Sequence, residues 1–242
     1  MKLSFKGPVL VTGGGSELGI RLAQALHAEN AVTLSVCRSA ESLRRCREAG
    51  LVALPFDEPE TLPERCRALL GETPAHLADL MHSRFESLLA APAPEAIMTW
   101  AAEDIGLRAR LVRAVSRAML AQRFGRCVFV SSSAAECPAP GQGYYAAAKL
   151  AGEALYRSLA VELSGRGVTA ASLRLSWMDT GRGRDFLEHR QEAAACRMPL
   201  GRLIRMDEAT DALLFLLSAS TAAANGTALT LDGGLSATKT AF

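Results

Sequence analysis

The chain has 242 residues, enough for one large domain or two small ones and ample for a continuous core. Hydrophobic residues make up 49% and charged residues 21%, which excludes general disorder. Lys and Arg number 27 against 25 Asp and Glu, and aromatics are 5%, so the basic excess of a nucleic-acid binder and the stacking platform of a single-strand binder are both missing.

No apolar run reaches the eighteen or so residues of a membrane span. The N-terminal stretch meets Gly13-Gly14-Gly15 before a signal-type apolar core can form. The expectation is a cytosolic protein with no membrane partner. Cys37, Cys46, Cys66, Cys127, Cys137 and Cys196 are scattered without a Cys-x-x-Cys pair. They predict neither a disulfide framework nor a metal site, but buried or idle thiols. No repeat, low-complexity tract or long linker divides the chain, so residues 1–242 read as one domain.

In chain order, short β-rich runs alternate with helical ones. Pro8 to Thr12 is a strand ending in glycines, and Leu18 to Glu29 has helical spacing. Ala31 to Cys37 is a second strand, followed by Ser39 and a helix to Ala49. Leu51 to Phe56 is a third, Pro63 to Leu70 a helix, and Leu77 to His82 a fourth strand. Leu107 to Arg123 is amphipathic through Leu107, Leu111, Val115 and Met119. Cys127 to Ser131, Val168 to Leu175 and Thr227 to Leu231 complete seven strands, with helices at Tyr144 to Leu163 and Asp207 to Leu217. This alternation predicts an α/β, doubly wound Rossmann fold: a parallel seven-stranded sheet with helices on both faces. Ligands then bind at the carboxyl ends of the strands, where strand order reverses.

Thr12-Gly13-Gly14-Gly15-Ser16-Glu17-Leu18-Gly19 joins the first strand to the first helix. Such a turn lets backbone approach a pyrophosphate and offers it the helix N-terminus; it also serves as a plain structural turn. At the end of the second strand there is no carboxylate to select NAD. Arg38 with Ser39 suits the 2′-phosphate of NADP, although Arg38 also reads as a solvated helix-leading arginine. Tyr145-Ala-Ala-Ala-Lys149 places phenol and ammonium on one helical face, which Tyr144 and Lys149 do not share. A phenol titrates near 10, and an adjacent ammonium favours its ionised form, giving a general acid/base. Ser132 stands at the end of the fifth strand, just ahead of that helix.

With these residues in view, the chain resembles the short-chain dehydrogenase/reductase family over essentially its whole length. Thr12, Gly13 and Gly19 match the loop T-G-x-x-x-G-x-G, and Val128 to Gly152 (VFVSSSAAECPAPGQGYYAAAKLAG) looks like its active-site segment. The resemblance implies that Tyr145 donates a proton to a substrate carbonyl oxygen as hydride arrives. Lys149 would lower the Tyr145 pKa and hold the nicotinamide ribose, while Ser132 hydrogen-bonds the carbonyl. It also implies cofactor contacts at Gly13, Ser16, Leu18, Gly19, Arg38, Ser39 and Thr180. Asp57 would meet the adenine amino group, or else cap the next helix.

Several positions depart from that pattern. Glu17 replaces the middle glycine. A carboxylate about 5 Å from a diphosphate costs roughly 1 kcal/mol in water and about 3 at intermediate dielectric, softened by the helix dipole. Met81-His82-Ser83-Arg84-Phe85 stands where the family has Asn-Asn-Ala-Gly, with His82 and Arg84 as packing substitutions or ligand contacts. Asp104 aligns with the fourth catalytic member, an Asn that holds a relay water, and is expected near Lys149. Leu175-Ser176 replaces Pro-Gly.

Gly181 to Arg205 should form a substrate lid, and its Arg182, Arg184, Arg190, Arg197, Arg202 and Arg205 suit an anionic substrate or form a solvated surface. Met198-Pro199-Leu200-Gly201-Arg202 through Asp232-Gly233-Gly234 resembles the 3-oxoacyl-carrier-protein reductase branch, whose carrier-docking arginines fall at Arg123 and Arg166. Glu17, Arg38 and the terminal Leu-Asp-Gly-Gly resemble pteridine reductases instead. The expectation is an NADPH-dependent reductase of a 3-oxoacyl thioester, with acyl carrier protein as partner. It would assemble as a homodimer or homotetramer through the two long helices and the last strand. The rival is a degenerate, non-catalytic homologue that pairs with an active one or senses a cofactor.

Overall fold

The computed structural model describes residues 2–83, 85–180, 183, 187 and 190–238. Seven parallel strands form one sheet: β1 (Val9–Thr12), β2 (Thr33–Cys37), β3 (Ala53–Pro55), β4 (His76–Asp79), β5 (Gly125–Ser132), β6 (Val168–Leu175) and β7 (Ala228–Leu231). Their order is β3-β2-β1-β4-β5-β6-β7. The order reverses between β1 and β4, so the ligand crevice is expected at their carboxyl ends. Every residue of β1, β2 and β4 is buried, as a parallel sheet covered on both faces requires.

Helices α1 (Glu17–Ala28) and α8 (Met206–Leu217) cover one face, packing Leu22, Leu26, Leu213 and Leu217 against Val9, Val11, Val128 and Leu173. Helices α3 (Leu62–Leu70), α5 (Leu107–Ala121) and α6 (Gly143–Leu163) cover the other, with Leu62, Leu111, Met119 and Leu159 against Leu10, Leu77 and Phe129. Helix α2 (Ala40–Glu48) lies beside β2 and β3. Gly152 lets α6 approach β5 closely: a Cβ there would stand 2.4 Å from the Phe129 ring.

The doubly wound parallel fold is the one expected, with three local corrections. The fourth strand stops at Asp79 rather than His82, because Asp79 Oδ1 accepts from Met81 N at 3.1 Å and turns the chain out of the sheet. The Ala90–Pro94 region leads into a helix that composition did not reveal, α4 (Pro94–Trp100), with Pro at its start. That helix continues as a π-helical turn, Ala101–Gly106, before α5. Within the expected lid lies α7 (Gln191–Arg197). Among the described residues, no helix is long and apolar enough to cross a membrane.

Candidate active site and cofactor cleft

Ser132 is the last residue of β5, and its Oγ accepts from Ala134 N at 3.2 Å, starting the turn beyond the strand. Eleven residues later α6 begins at Gly143, with Tyr145 in its first turn and Lys149 in the next. The Lys149 side chain is buried, 3% exposed. Its Nζ donates to the Val130 carbonyl at 2.8 Å and lies 5.5 Å from the centre of the Tyr145 ring. Tyr144 belongs to a different environment: its hydroxyl donates to Leu89 O at 3.0 Å, and its ring meets Phe85 and Trp100 edge-on. Helical phase thus gives Tyr145, and not Tyr144, to Lys149.

The cofactor-side residues lie at the carboxyl ends of β1, β2 and β6. Gly13 adopts φ +67°, a left-handed conformation that favours glycine. Ser16 caps α1, with its Oγ accepting from Gly19 N at 3.0 Å, while Leu18 and Gly19 sit in the first turn. Arg38 follows β2 and donates through Nη2 to His82 O at 3.4 Å, bridging from β2 toward the exit of β4. Ser39 caps α2 by accepting from Ser42 N at 3.1 Å, and Ser42 Oγ lies 3.0 Å from its hydroxyl. A guanidinium, two hydroxyls and a helix N-terminus therefore follow the end of β2, where the sequence Val36-Cys37-Arg38-Ser39 carries no carboxylate. That donor set fits a phosphate on the adenosine ribose.

Asp57 is not a helix cap. The next helical turn starts at Pro59 after Glu58, and Asp57 instead accepts from Arg65 Nη1 at 3.2 Å. Thr180 is half-buried, beyond a parallel bridge between Met178 and Ile204, and its carbonyl accepts from Gly183 N at 2.9 Å. The Ser176 Oγ, just after β6, is buried and has no hydrogen-bond partner among the described residues. A polar atom left so at the mouth of the sheet suits a bound polar group such as a carboxamide.

Asp104 lies in the π-helical turn and is 4% exposed. Its Oδ1 accepts from Ser83 N at 2.7 Å and its Oδ2 accepts from Ser83 Oγ. The carboxylate thus holds the connector that leaves β4, whereas Lys149 Nζ donates to Val130 O. The joint between β1 and β4 is made by Asp79, just upstream of Met81–Phe85. Asp79 Oδ1 accepts from Thr12 Oγ1 at 2.8 Å. Asp79 Oδ2 accepts from Arg108 Nε at 3.0 Å and from the Tyr156 hydroxyl at 3.2 Å.

Arg108 also donates to the carbonyls of Asp104 and Met81. The sequence reading missed this arginine by taking Leu107 as the stripe residue. The buried stripe is Arg108, Leu111, Val115 and Met119, whose spacing of three and four was available to find it. His82 reaches the site from the same connector: its ring meets Tyr145 edge-on, with centroids 6.3 Å apart. Arg84 lies outside the described residues.

Of the lid arginines, Arg182 and Arg184 lie outside the described residues, as does Gly181. Arg202 and Arg205 both pair with Glu208, at 2.7 and 3.3 Å, and Arg197 stands over the Trp177 ring at 5.6 Å. Two of the described lid arginines are therefore paired, to a single carboxylate. Arg123 and Arg166 are exposed at the opposite end of the sheet, just before β5 and β6. All six cysteines are free. Cys37 and Cys46 nonetheless bring their sulfurs to 3.5 Å, a contact that spacing does not reveal. Among the described residues, no cluster of His, Cys, Asp and Glu could hold a metal.

Comparison with known proteins agrees with this geometry. A family model described as enoyl-(acyl carrier protein) reductase matches residues 105–236, over half of the chain. The 3-oxoacyl-[acyl-carrier-protein] reductase FabG of Pseudomonas aeruginosa is 28% identical, covering 96% of this chain and 99% of that protein. Bovine L-xylulose reductase is 29% identical, covering 95% and 96%. The crystal structure of a gluconate 5-dehydrogenase from Burkholderia cenocepacia, in complex with NADP and tartrate, superposes with a TM-score of 0.87 at 24% identity, covering 98% of both chains. A 3-oxoacyl (acyl-carrier-protein) reductase from Agrobacterium tumefaciens with NADP bound gives 0.81 at 23% identity, covering 94% and 93%. The fold is shared from end to end, and the matched half carries the Tyr145–Lys149 helix: this chain belongs to the short-chain dehydrogenase/reductase family of oxidoreductases, on its 3-oxoacyl-carrier-protein reductase-like side.

Proposed function

We propose that the chain is an NADPH-dependent carbonyl reductase whose substrate is a 3-oxoacyl thioester. The observation that carries the reading is that Lys149 Nζ lies 5.5 Å from the centre of the Tyr145 ring and donates to Val130 O, two residues before Ser132 at the carboxyl end of β5. NADPH, when bound, supplies the hydride that reaches the carbonyl carbon.

The chain's own groups do the rest. Gly13, Ser16, Leu18 and Gly19 receive the pyrophosphate at the start of α1. Arg38 and Ser39 hold the 2′-phosphate, and Asp57 faces the adenine. Thr180 and the buried Ser176 hydroxyl orient the carboxamide. Ser132 donates a hydrogen bond to the substrate carbonyl oxygen, and Tyr145 hands its proton to that oxygen as the alkoxide develops. Lys149 stabilises the phenolate that remains, because an adjacent ammonium favours the charged form.

The thioester is favoured by the FabG relatives, which are named for a 3-oxoacyl-carrier-protein substrate. We extend the reading to a single domain, a cytosolic location and an oligomer built on α6. Free thiols support a reducing compartment, and exposed Leu150 and Val161 on α6 support the pairing. The second reading, a non-catalytic cofactor sensor or partner of an active homologue, is favoured by Asp104, whose two oxygens both serve Ser83.

Oxidation of NADPH with acetoacetyl-coenzyme A, followed at 340 nm (an absorbance of the reagent), tests the proposal. Turnover abolished by Tyr145→Phe supports it. Tryptophan quenching by NADPH without turnover on thioesters, ketones or dihydropteridines would favour the sensor, and turnover on dihydropteridine alone would move the substrate to that class.

A further inference from the structure

Arg174 lies on β6, in register with Ser131 on β5, directly behind the residue that ends the strand as Ser132. Its side chain is 12% exposed. Nε and Nη2 grip the two oxygens of Glu153, at 2.7 and 2.6 Å. Glu153 is buried on α6, one helical turn beyond Lys149, and its Oε1 also accepts from Ser131 Oγ at 2.6 Å. The third nitrogen, Nη1, donates to Glu136, in the segment between Ser132 and Tyr145. One planar fork thus reaches the strand end, the connecting loop and the helix that carries the catalytic pair. The Arg174 and Ser131 bonds hold the Glu153 carboxyl below its ordinary range against the opposing effect of burial, so the carboxylate is charged and its bonds are charge-assisted.

We infer that Arg174 is a positioning residue for the reductase chemistry, fixing the separation between Ser132 and the Tyr145–Lys149 pair through Glu153, Ser131 and Glu136. The inference rests on the reading proposed above. Among the described residues, the hydrogen bonds of Arg174 go to Glu136 in the β5–α6 connection and to Glu153 on α6, and none goes to the glycine loop or Arg38. A displacement of about 1 Å at reacting groups costs on the order of 100-fold in rate. The loss should therefore fall mainly on turnover, with cofactor affinity lowered only as far as the Lys149 contact to the nicotinamide ribose contributes. Lys in place of Arg keeps the charge but loses the fork, so it should restore turnover only in part.

The test uses the full chain with NADPH and acetoacetyl-coenzyme A. Arg174→Met is expected to lower kcat on the order of 100-fold, with a much smaller loss of NADPH affinity by tryptophan quenching and Arg174→Lys in between. If Arg174→Met does not fold, Glu153→Gln/Arg174→Met removes the stranded charge and should fold and remain slow. A folded variant of either kind with wild-type kcat overturns the inference, as does an equal loss of turnover and NADPH affinity. Hydrogen exchange supplies a readout without activity: peptides spanning Ser132 to Lys149 should lose protection in Arg174→Met while those spanning Gly13 to Ala28 do not. Wild-type inactivity would sink the reductase reading alone. Unchanged exchange over Ser132 to Lys149 would sink the positioning role alone.

Discussion

Asp79 and Arg108 meet at 3.0 Å with side-chain exposures of 0% and 1%. Each is fully committed: Asp79 accepts from Thr12, Met81, Tyr156 and Arg108, while Arg108 also serves the carbonyls of Asp104 and Met81. The pair therefore ties the start of the glycine loop, the exit of β4, the π-helical turn and α6 into one buried knot. Breaking a buried ion pair strands a charge, whereas replacing both members need not. Arg108→Met alone is expected to cost about 3–5 kcal/mol, and Asp79→Asn/Arg108→Met clearly less. Urea unfolding of both variants checks this; equal losses would mean that the knot is held by packing.

Removing the Tyr145 hydroxyl leaves the ring against His82 but no proton to give. Tyr145→Phe should lower kcat between about 10²- and 10⁴-fold, the usual contribution of a positioned acid, with little change in NADPH affinity by tryptophan quenching. A folded variant that retained wild-type turnover would remove Tyr145 from the chemistry.

Arg38 answers for the choice of coenzyme. A charge-assisted bond to a phosphate contributes roughly 1.5–3 kcal/mol, so Arg38→Ala should raise the KM for NADPH by about 10- to 100-fold and leave that for NADH nearly unaltered. Parallel kinetics with both coenzymes decide it, and an equal rise for the two would show that Arg38 does not read the 2′-phosphate.

His76 makes stability depend on pH. The ring is wholly buried, its Nε2 accepting from Lys6 N at 2.9 Å and its Nδ1 donating to Leu217 O at 2.9 Å. Phe5 and Phe124 face it edge-on, and Arg126 lies nearby. Burial pushes its pKa down to about 4, against about 6.5 in the unfolded chain. The unfolded state therefore takes up the proton first. The contribution is complete above about pH 6.5 and is lost as pH falls toward 4, amounting to roughly 3 kcal/mol over that window. Urea midpoints at pH 7 and 4.5 should differ more in the wild type than in His76→Gln.

Much of this architecture is legible in the amino-acid order because it depends on local patterns. The β6 limits, Val168–Leu175, follow from an apolar run closed by a glycine turn before it. Tyr145 and Lys149 follow from helical phase alone. What escaped reading depends on tertiary partners. Arg108 and Glu153 look like surface charges until the strands that answer them, bearing Asp79 and Arg174, are in place. Asp104 aligned with a relay residue, yet its nearest donor is Ser83, a pairing that depends on the path of the β4 connector. The contact of Cys37 with Cys46 required knowing how α2 lies on β2.

Arg123 and Arg166 precede the two longest strands, whereas Ser132 closes one of them. Eight residues of extended chain separate the two rims, roughly 25 Å at 3.3 Å per residue. Charge at the far rim can therefore change without touching the residues that close the strand at the other end.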